Sequence, residues 1–452
     1  MKVAKFGGSS LASAVQIKKV FNIVKNDPSR KFIVVSAPGK RNASDTKVTD
    51  ALIAYYTAYK NNEAIKPQQD WIIQRYREIY EELEMQGAVL DEIAKNIRNL
   101  ATLALDNKFT YDTFLAAGEN NNAKLIAEYF NENGLESRYV HPADAGIVVS
   151  ADPSNARLLT NSYSQINYLT ELPETLIIPG FFGVTTAGEV CTFSRGGSDI
   201  TGSIIAAGVK AELYENFTDV NGIFSAHPGI VKNPLPIKEL TYREMRELAY
   251  SGFSVLHDEA LVPAFHAHVP LVIKNTNNPE HPGTSIVVKR ETKGAPVVGI
   301  ASSSGFASLY ISKYLMNREV GFGRKVLSAL ENLGIRFEHM PTGIDDMSII
   351  VRSRYLNQQL EKALIASLTE SLHPDEVKIE RNFSIIMLVG EDMKEHVGVT
   401  ARAAASLAKK HINIEMLSQG SSEVSVMFIV KEKDEQEALR AIYDEFFGEK
   451  MI

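Results

Sequence analysis

The stretch KFGGSSLA, residues 5–12, places a lysine, two consecutive glycines and two serines directly behind the apolar start MKVA. That apolar run is too short for a signal peptide, so we expect the stretch to belong to the fold. It predicts a strand that ends at Lys5, a glycine pair and then a helix. A glycine pair lets the backbone pass close to a bulky anion, and the first amides of a following helix can hold phosphate oxygens.

Composition narrows the class of protein. A chain of 452 residues predicts about three domains at about 150 residues each. Hydrophobic residues make up 44% and charged residues 23%. No apolar run reaches the length of about 18 residues that a membrane span needs, so we expect no membrane span. The single Cys191 excludes an internal disulfide and a multi-cysteine zinc site, and it predicts a cytoplasmic location. A net charge of −7 argues against a nucleic-acid partner, which leaves small-molecule chemistry.

The first 295 residues alternate β-rich runs with helical patterns, as expected for a mostly parallel sheet covered by helices. The strand candidates are MKVAKFGG, KFIVVSAPG, TLIIPGFFG, AELYENFTD and VPLVIKN, and each runs into glycine, asparagine or a hydroxyl residue. Ligands bind at the carboxyl ends of the strands in such sheets, so we expect the site there. Between Thr49 and Leu115 the apolar spacing predicts helices and no strand.

Beyond about residue 296 the sequence contains an internal repeat. The segment from Val320 aligns without a gap on the segment from Val397, at an offset of 77 residues. Each copy predicts a glycine turn, an amphipathic helix, a strand, a second glycine turn and a second strand. Two small tandem modules favour ligand sensing over a solenoid, since repeat arrays need at least about three units. A duplication that serves only dimerisation is the alternative.

Three further polar clusters accompany the opening stretch. TFSRGGSDITG, from residue 192, supplies a second glycine pair at a helix start, with Arg195, Ser198 and Asp199 beside it. Glu119 follows a glycine and is predicted to lie just before a helix. Thr218 and Asp219 end a strand-like run. We expect all four clusters in loops at strand ends.

In this order and at these spacings, KFGGSS, SRGGSDITG and TDVNGI resemble the amino-acid kinase superfamily, and within it the aspartokinases. INIEMLSQGSSEVSVMFIV is similar to the second of the two ACT modules that follow the kinase domain in that family. The resemblance implies an α/β fold: a three-layer sandwich kinase domain around a mostly parallel sheet, then two small α+β, ferredoxin-like ACT modules. The domains implied are residues 1–295, 296–375 and 376–452.

The functional positions of the family fall on residues of this chain. The resemblance implies that Lys5 contacts the transferring phosphate and that Asp199 orients the cationic groups around it. The implied contacts to substrate aspartate are Thr49, Glu119, Arg195 and Ser198. The implied contacts to ATP are Lys5, Phe6, Gly7, Gly8, Ser9, Thr218, Asp219, Phe224, Gly229, Ser254 and Val255.

The implied reaction is phosphoryl transfer from MgATP to the β-carboxylate of L-aspartate. A carboxylate with a pKa near 3.9 is ionised at neutral pH, so no general base is needed. Alignment and charge stabilisation then supply the catalysis. Magnesium is expected to bind through phosphate oxygens and water, so no protein ligand is assigned to it.

Two cations of the common family pattern are absent. Gly229 stands where many aspartokinases have an arginine, and Ser254 stands where many have a lysine. Lys40, Arg41 or Lys232 could compensate. The missing cations leave a non-catalytic amino-acid sensor open as an alternative. Another acyl-phosphate-forming kinase of the superfamily, acting on glutamate or acetylglutamate, is a second alternative.

The resemblance also implies feedback regulation by lysine, threonine or both, and a homodimer formed through the ACT-like modules. Effector contacts implied for the first module are Met316, Gly321, Phe322, Gly323, Glu338 and Asp346. A carboxylate at Glu338 or Asp346 could receive a lysine side chain, although both residues can equally be surface charges.

Overall fold

The computed structural model describes residues 1–194, 196–253, 255–256, 258–291, 295–420 and 424–448. These residues divide into two compact units. One unit is drawn from residues 1–223, 236–246 and 254–290, and the other from residues 224–235, 247–253 and 291–452. The second unit thus includes residues 224–235, 247–253 and 291–295 of the expected kinase domain, and the boundaries at 295 and 375 stay predictions.

A mostly parallel sheet forms the centre of the first unit. The strands of residues 1–291 are β1 (Lys2–Phe6), β2 (Arg30–Val35), β3 (Ser137–Tyr139), β4 (Thr175–Pro179), β5 (Phe182–Val184), β6 (Val190–Thr192), β7 (Leu213–Thr218), β8 (Ile223–Phe224), β9 (Pro236–Ile237), β10 (Glu239–Thr241), β11 (Leu271–Asn275) and β12 (Thr284–Val287). Eight of them pair in the order β10-β12-β11-β7-β1-β2-β4-β3, parallel except for β11 with β12. All five strand candidates are confirmed, and β5 with β6 forms a separate antiparallel hairpin.

Helices cover this sheet as predicted. They are α1 (Ala14–Lys25), α2 (Val48–Lys60), α3 (Lys66–Glu82), α4 (Val89–Asn99), α5 (Thr110–Glu132), α6 (Ser162–Asn167), α7 (Gly197–Gly208), α8 (Tyr242–Tyr250) and α9 (Leu261–His266). Residues 49–115, which the structure describes throughout, contain helices and no strand. The apolar faces of α1 to α5 form one hydrophobic cluster with β1 and β2. No helix among the described residues has the length and apolar character needed to cross a bilayer.

The helix behind the first glycine pair begins later than predicted. Residues Gly8–Leu11 form a short 3-10 turn, and α1 starts only at Ala14. Ser13 is the N-cap, because its hydroxyl accepts a hydrogen bond from the Gln16 amide at 3.4 Å. A helix thus follows the glycine pair as predicted, with a short 3-10 turn between the glycines and the α-helix.

An antiparallel sheet forms the centre of the second unit. Its strands are β13 (Gly299–Ser312), β14 (Phe337–His339), β15 (Asp346–Arg352), β16 (Glu376–Val389), β17 (Met416–Gln419) and β18 (Ser425–Lys431). They pair in the order β14-β15-β13-β16-β18-β17. The helices of residues 295–448 are α10 (Phe322–Asn332), α11 (Gln358–Leu372), α12 (Val399–Lys409) and α13 (Glu435–Phe447).

The internal repeat is confirmed, and it extends further than the aligned segment. Helix α12 repeats α10 and strand β16 repeats β13, and both ends of each element are offset by 77 residues. The two repeated strands pair with each other at the centre of the sheet, Gly299 opposite Val389 and Ser312 opposite Glu376. Each copy packs its helices into its own hydrophobic cluster. The two copies therefore share one sheet through an approximate twofold arrangement.

Candidate active site

Lys5 and Asp199 meet at the carboxyl ends of the central strands. The Lys5 ammonium on β1 lies 2.5 Å from Oδ1 of Asp199, which is in the first turn of α7. The two side chains are only 9% and 14% exposed, so the ion pair is largely shielded from water. The structure thus brings together the two residues predicted to act on the transferring phosphate, although 194 positions separate them.

Two residues on β7 hold the Asp199 end of this pair. The amide of Asn216 donates to Oδ1 of Asp199 at 2.8 Å, and the hydroxyl of Tyr214 donates to the backbone oxygen of Asp199 at 3.1 Å. A Cβ atom at Gly202 would lie 2.3 Å from that hydroxyl, so a glycine is needed there. The sequence analysis missed Asn216, although a buried amide inside an apolar strand is a usable signal.

The first glycine pair joins three strand ends. The Gly7 amide donates to the Phe217 oxygen at 3.1 Å, and the Gly8 oxygen accepts from the Gly39 amide at 2.9 Å. A Cβ atom at Gly39 would lie 2.5 Å from the Gly8 backbone, so this approach depends on small residues. The half-buried Ser9 follows, and buried Phe6 stacks on Phe217 with ring centroids 4.8 Å apart. The glycines therefore bring the loops after β1, β2 and β7 together.

Arg75 on α3 links two of these loops. Its guanidinium, on a residue only 2% exposed, donates to the oxygens of Ala12 at 2.6 Å and Gly39 at 3.0 Å. Asp45 lies 3.4 Å from the same nitrogen. Burial lowers the pKa of Arg75 from its ordinary value. The sequence analysis missed this residue because its partners are backbone carbonyls far away in the chain.

Glu119 lies in the middle of α5, not in a loop before a helix, so that prediction was wrong. The preceding Gly118 does not end a helix; a Cβ atom there would lie 2.8 Å from Ala37 and 3.3 Å from Leu52. Glycine instead lets α5 pack closely against α2 and the loop after β2. The hydroxyl of Tyr76 secures this position by donating to the Gly118 oxygen at 2.7 Å.

The carboxyl group of Glu119 is buried with an unused oxygen. The residue is 6% exposed, and its Oε2 has no hydrogen-bond partner among the described residues. Burial raises the pKa of Glu119 to about 7, although a hydrogen bond with the Ala37 backbone opposes the increase. An unsatisfied buried acid is costly, and a cationic ligand group would satisfy it.

Thr49 and Ser198 lie on the elements that surround Glu119 and Asp199. Thr49 is half-buried in the first turn of α2, next to Val48, which packs against Gly118. Ser198 is buried and packs on Gly180 after β4, where a Cβ atom would lie 2.7 Å from the serine Oγ. Arg195, the predicted cation for the aspartate carboxylate, lies outside the described residues.

Thr218 and Asp219 follow β7 at the same edge of the sheet. Thr218 is half-buried and Asp219 is exposed, and the Thr218 hydroxyl lies 3.3 Å from Oδ1 of Asp219. The Thr218 oxygen accepts from the Thr276 amide at 2.9 Å, and the Thr276 hydroxyl lies 2.7 Å from that of Ser10. The loops after β1, β7 and β11 are therefore connected by hydrogen bonds.

Four predicted nucleotide contacts remain: Phe224, Gly229, Ser254 and Val255. Phe224 is half-buried and Gly229 is exposed, and both belong to the second unit. Val255 lies in a bend of the first unit, and Ser254 lies outside the described residues. These four assignments stay predictions.

The predicted effector residues lie in the first copy of the repeat. Met316 and Phe322 are buried in its hydrophobic cluster, and Gly321 caps α10 with a φ of +82° immediately before Phe322 and Gly323. The carboxylate of Glu338 on β14 is 3.3 Å from the guanidinium of Arg352. Asp346 begins β15 and is half-buried. The side chains of Met316 and Phe322 therefore serve the core, and Glu338 already has a cationic partner.

The cations proposed to replace the missing family residues differ in their surroundings. The Arg41 guanidinium is bound by Asp45 at 2.9 Å and by Glu78 at 2.8 Å. Lys40 directly follows Gly39 in the first unit and is exposed, and Lys232 is exposed in the second unit. Across the part of the chain that the structure describes, no three acidic, histidine or cysteine side chains cluster as metal ligands.

Comparison with known proteins agrees with this geometry. Residues 1–275 match the amino acid kinase family, and residues 386–446 match an ACT domain. The chain is 52% identical to aspartokinase 3 of Bacillus subtilis, and the alignment covers 100% of both chains. The crystal structure of the Clostridium acetobutylicum aspartate kinase superposes with a TM-score of 0.86 at 39% identity, covering 99% of this chain and 100% of that one.

A more distant structure shares the fold. Escherichia coli aspartokinase III, in complex with aspartate and ADP, superposes with a TM-score of 0.83 at 24% identity, covering 99% of this chain and 100% of that one. The expected fold class, a parallel-sheet kinase domain followed by ACT-like modules, is confirmed. The chain belongs to the amino acid kinase family and, within it, to the aspartokinases.

Proposed function

We propose that this chain transfers the γ-phosphoryl group of ATP to the β-carboxylate of L-aspartate, giving 4-phospho-L-aspartate and ADP. This is the first step of lysine, threonine and methionine biosynthesis. The observation that carries the proposal is the shielded contact of 2.5 Å between Lys5 and Asp199 at the strand ends. Membership of the aspartokinases supports the same reaction.

Lys5 supplies the positive charge for the transferring group. As the phosphoryl group passes between oxygens, negative charge spreads over its equatorial oxygens, and an ammonium in a water-poor site stabilises that charge. Asp199 keeps the ammonium directed by its ion pair, and Asn216 fixes the carboxylate in turn. The attacking β-carboxylate is already ionised, so no residue is assigned as a general base.

Glu119 and Arg195 bind oppositely charged groups of the amino acid substrate: Glu119 the ammonium group and Arg195 a carboxylate. The unpartnered Oε2 of Glu119 is a ready acceptor for the substrate ammonium group. Arg195 follows in the chain just before α7, and its guanidinium is suited to bind a carboxylate through two hydrogen bonds. Thr49 and Ser198 complete the set of substrate contacts. A dicarboxylic amino acid thus finds complementary charges.

ATP is held by the joined loops after β1, β2 and β7. The Gly7 and Ser10 amides are already used within the protein, which leaves the Gly8 and Ser9 amides for phosphate oxygens. Lys40 is the best-supported replacement for the missing family cations, since it follows Gly39 and no described residue forms an ion pair with it. Magnesium would bind through the phosphate oxygens and water, with little contribution from the protein.

The test is aspartate-dependent ADP formation, with the acyl phosphate trapped as a hydroxamate. We expect turnover with aspartate and none with glutamate or acetylglutamate. Turnover of either alternative in place of aspartate would identify another acyl-phosphate-forming kinase. A second candidate function, a non-catalytic amino-acid sensor, is favoured by the neutral residues at Gly229 and Ser254. Calorimetry that detects lysine or threonine binding but no ATP binding would support that candidate.

The second unit is proposed as the regulatory part, which binds lysine, threonine or both and forms a homodimer. Because Glu338 is paired with Arg352, Asp346 is the better acceptor for a lysine side chain. An assay with lysine and threonine, added separately and together to wild type and to Asp346→Asn, tests this assignment. Light scattering tests the dimer. The expected location in the cytoplasm rests on the single cysteine and stays a prediction.

A further inference from the structure

Asp112 is a fully buried carboxylate outside the set of residues assigned above. It lies in the first turn of α5 and is 0% exposed. Its Oδ2 accepts from the Ser154 amide at 2.8 Å and from the Thr192 amide at 2.7 Å, and its Oδ1 accepts from the Ser154 hydroxyl at 2.8 Å. Each of these three donors is neutral. A buried carboxylate is satisfied this way only when its partners are held in place.

The two segments that Asp112 joins both lead to predicted substrate contacts. On α5, Glu119 lies seven residues later, which is about two helical turns or 10 Å along the helix. Thr192 is the last residue of β6, three positions before Arg195 and five before the start of α7. The Asp112 carboxylate therefore fixes the position of α5 relative to the strand that delivers the second glycine pair.

Ser154 forms the other arm of this connection. Its φ of +59° lies in the left-handed region, which is unfavourable for a residue with a Cβ atom. Both hydrogen bonds from Ser154 to Asp112 favour this conformation. The same loop is joined to β6, since the Ala156 amide donates to the Thr192 oxygen at 3.0 Å, and to the start of α5, since Lys108 donates to the Ala151 oxygen at 2.9 Å.

We infer that Asp112 is a positioning residue for the aspartate-binding half of the site. It sets the distance between the carboxylate that receives the substrate ammonium, on α5, and the loop that receives the substrate carboxylates, after β6. The inference rests on the proposed function for the identity of the substrate. Loss of this connection should weaken aspartate binding and leave nucleotide binding nearly unchanged, because the three hydrogen bonds described for Asp112 run to Ser154 and Thr192 and not to the loops after β1 or β7.

The test compares Asp112→Asn and Ser154→Ala with wild type. Asparagine has one acceptor oxygen where the carboxylate has two, so it cannot accept hydrogen bonds at both. We expect the KM for aspartate to rise about ten-fold and the KM for ATP to change less than about two-fold. Ser154→Ala removes only one of the three donors and should raise the KM for aspartate about three-fold. Should Asp112→Asn fail to fold, the Ser154→Ala result decides: an aspartate KM equal to that of wild type overturns the inference.

Glu244→Gln is the matched control. Glu244 is also a fully buried carboxylate at the start of a helix; it accepts from the Thr241 amide at 2.9 Å and pairs with the Arg290 guanidinium at 2.6 Å. It lies beside β10, at the far edge of the sheet from β1. We expect this variant to lose stability without a change in the aspartate KM. An equal effect of Glu244→Gln and Asp112→Asn on the aspartate KM would show a general structural role and overturn the inference.

A second measurement separates this inference from the proposed reaction. The increase in unfolding temperature caused by aspartate alone reports binding and needs no turnover. We expect this increase to be smaller in Asp112→Asn than in wild type or Glu244→Gln. Wild type that is stabilised by aspartate but forms no ADP would contradict the reaction only, and an undiminished aspartate effect in Asp112→Asn would contradict the positioning role only.

Discussion

Glu119→Gln should make the unbound protein more stable than wild type at pH 8 while weakening its binding of aspartate. The buried carboxyl has a pKa of about 7 in the folded protein against 4.5 in an exposed chain. An acid whose pKa is raised by folding stabilises the fold fully only below its unfolded pKa, and this contribution is lost as the pH rises through the folded pKa. Glutamine is neutral throughout, so the variant should lack this loss.

The expected size follows from the two pKa values. Between pH 5 and pH 8, the stability of wild type should fall relative to the variant by about 2.5 kcal/mol, since each pH unit between the two pKa values is worth about 1.36 kcal/mol. Glu119 is only 6% exposed, so solvent screening reduces this figure little. Urea unfolding at both pH values measures it. Glu128→Gln, at a half-buried position of the same helix, is the control and should show a clearly smaller difference.

The same titration should appear in substrate affinity. Only the ionised form of Glu119 attracts the substrate ammonium, so the apparent KM for aspartate should be about ten-fold higher at pH 6 than at pH 8. In Glu119→Gln the KM should be at least about 30-fold higher and independent of pH in this range. Parallel stability curves for wild type and variant from pH 5 to 8, or a pH-dependent KM in Glu119→Gln, would refute this account of the carboxyl.

Three further predictions concern the phosphate side of the site. Lys5→Met should lower kcat about 100- to 1,000-fold. Adding Asp199→Asn should lower kcat little further, because the two residues act as a unit. Additive losses of kcat in a steady-state assay would contradict this. Arg75→Met should leave the Ala12 and Gly39 carbonyls unsatisfied, and so raise the KM for ATP about ten-fold and lower the free energy of unfolding by about 2 kcal/mol. Arg75→Lys should recover part of both losses. An unchanged KM for ATP in Arg75→Met would contradict the proposed link between the loops. Lys40→Met should raise the KM for ATP several-fold, and this increase should be larger at low ionic strength. Equal KM values for the variant and wild type would favour Lys232 as the compensating cation.

Much of the fold could be predicted because local signals agree with the final packing. The β-rich runs that end in glycine or hydroxyl residues became neighbouring parallel strands, and the offset of 77 residues anticipated where α12 and β16 begin. The wrong predictions concern places where tertiary packing overrides a local signal. Gly118 suggests a helix boundary, yet its role is close contact between α5 and Ala37.

The candidate site residues that could be named from the sequence, such as Lys5 and Asp199, lie in short, compact motifs. Arg75 and Asp112 were not found, because each is a charged residue on an ordinary amphipathic helix. Their importance arises from backbone groups more than 35 positions away, Gly39 for Arg75 and Thr192 for Asp112. Hydrogen bonds from side chains to distant backbone atoms leave no periodicity or composition signal in the sequence, so such residues become visible only after the chain has folded.

The pairing of β13 with β16 has a consequence for the history and engineering of the second unit. A single copy would leave a strand of 14 residues with an uncovered edge, which is an aggregation hazard unless another strand covers it. One copy alone would therefore need a second copy to pair with this edge. Joining both copies in one polypeptide keeps the pairing strand at a high effective concentration. A truncation after residue 375 should consequently yield insoluble or associating protein. A truncation before residue 299 would remove both copies together and leave no unpaired edge of β13.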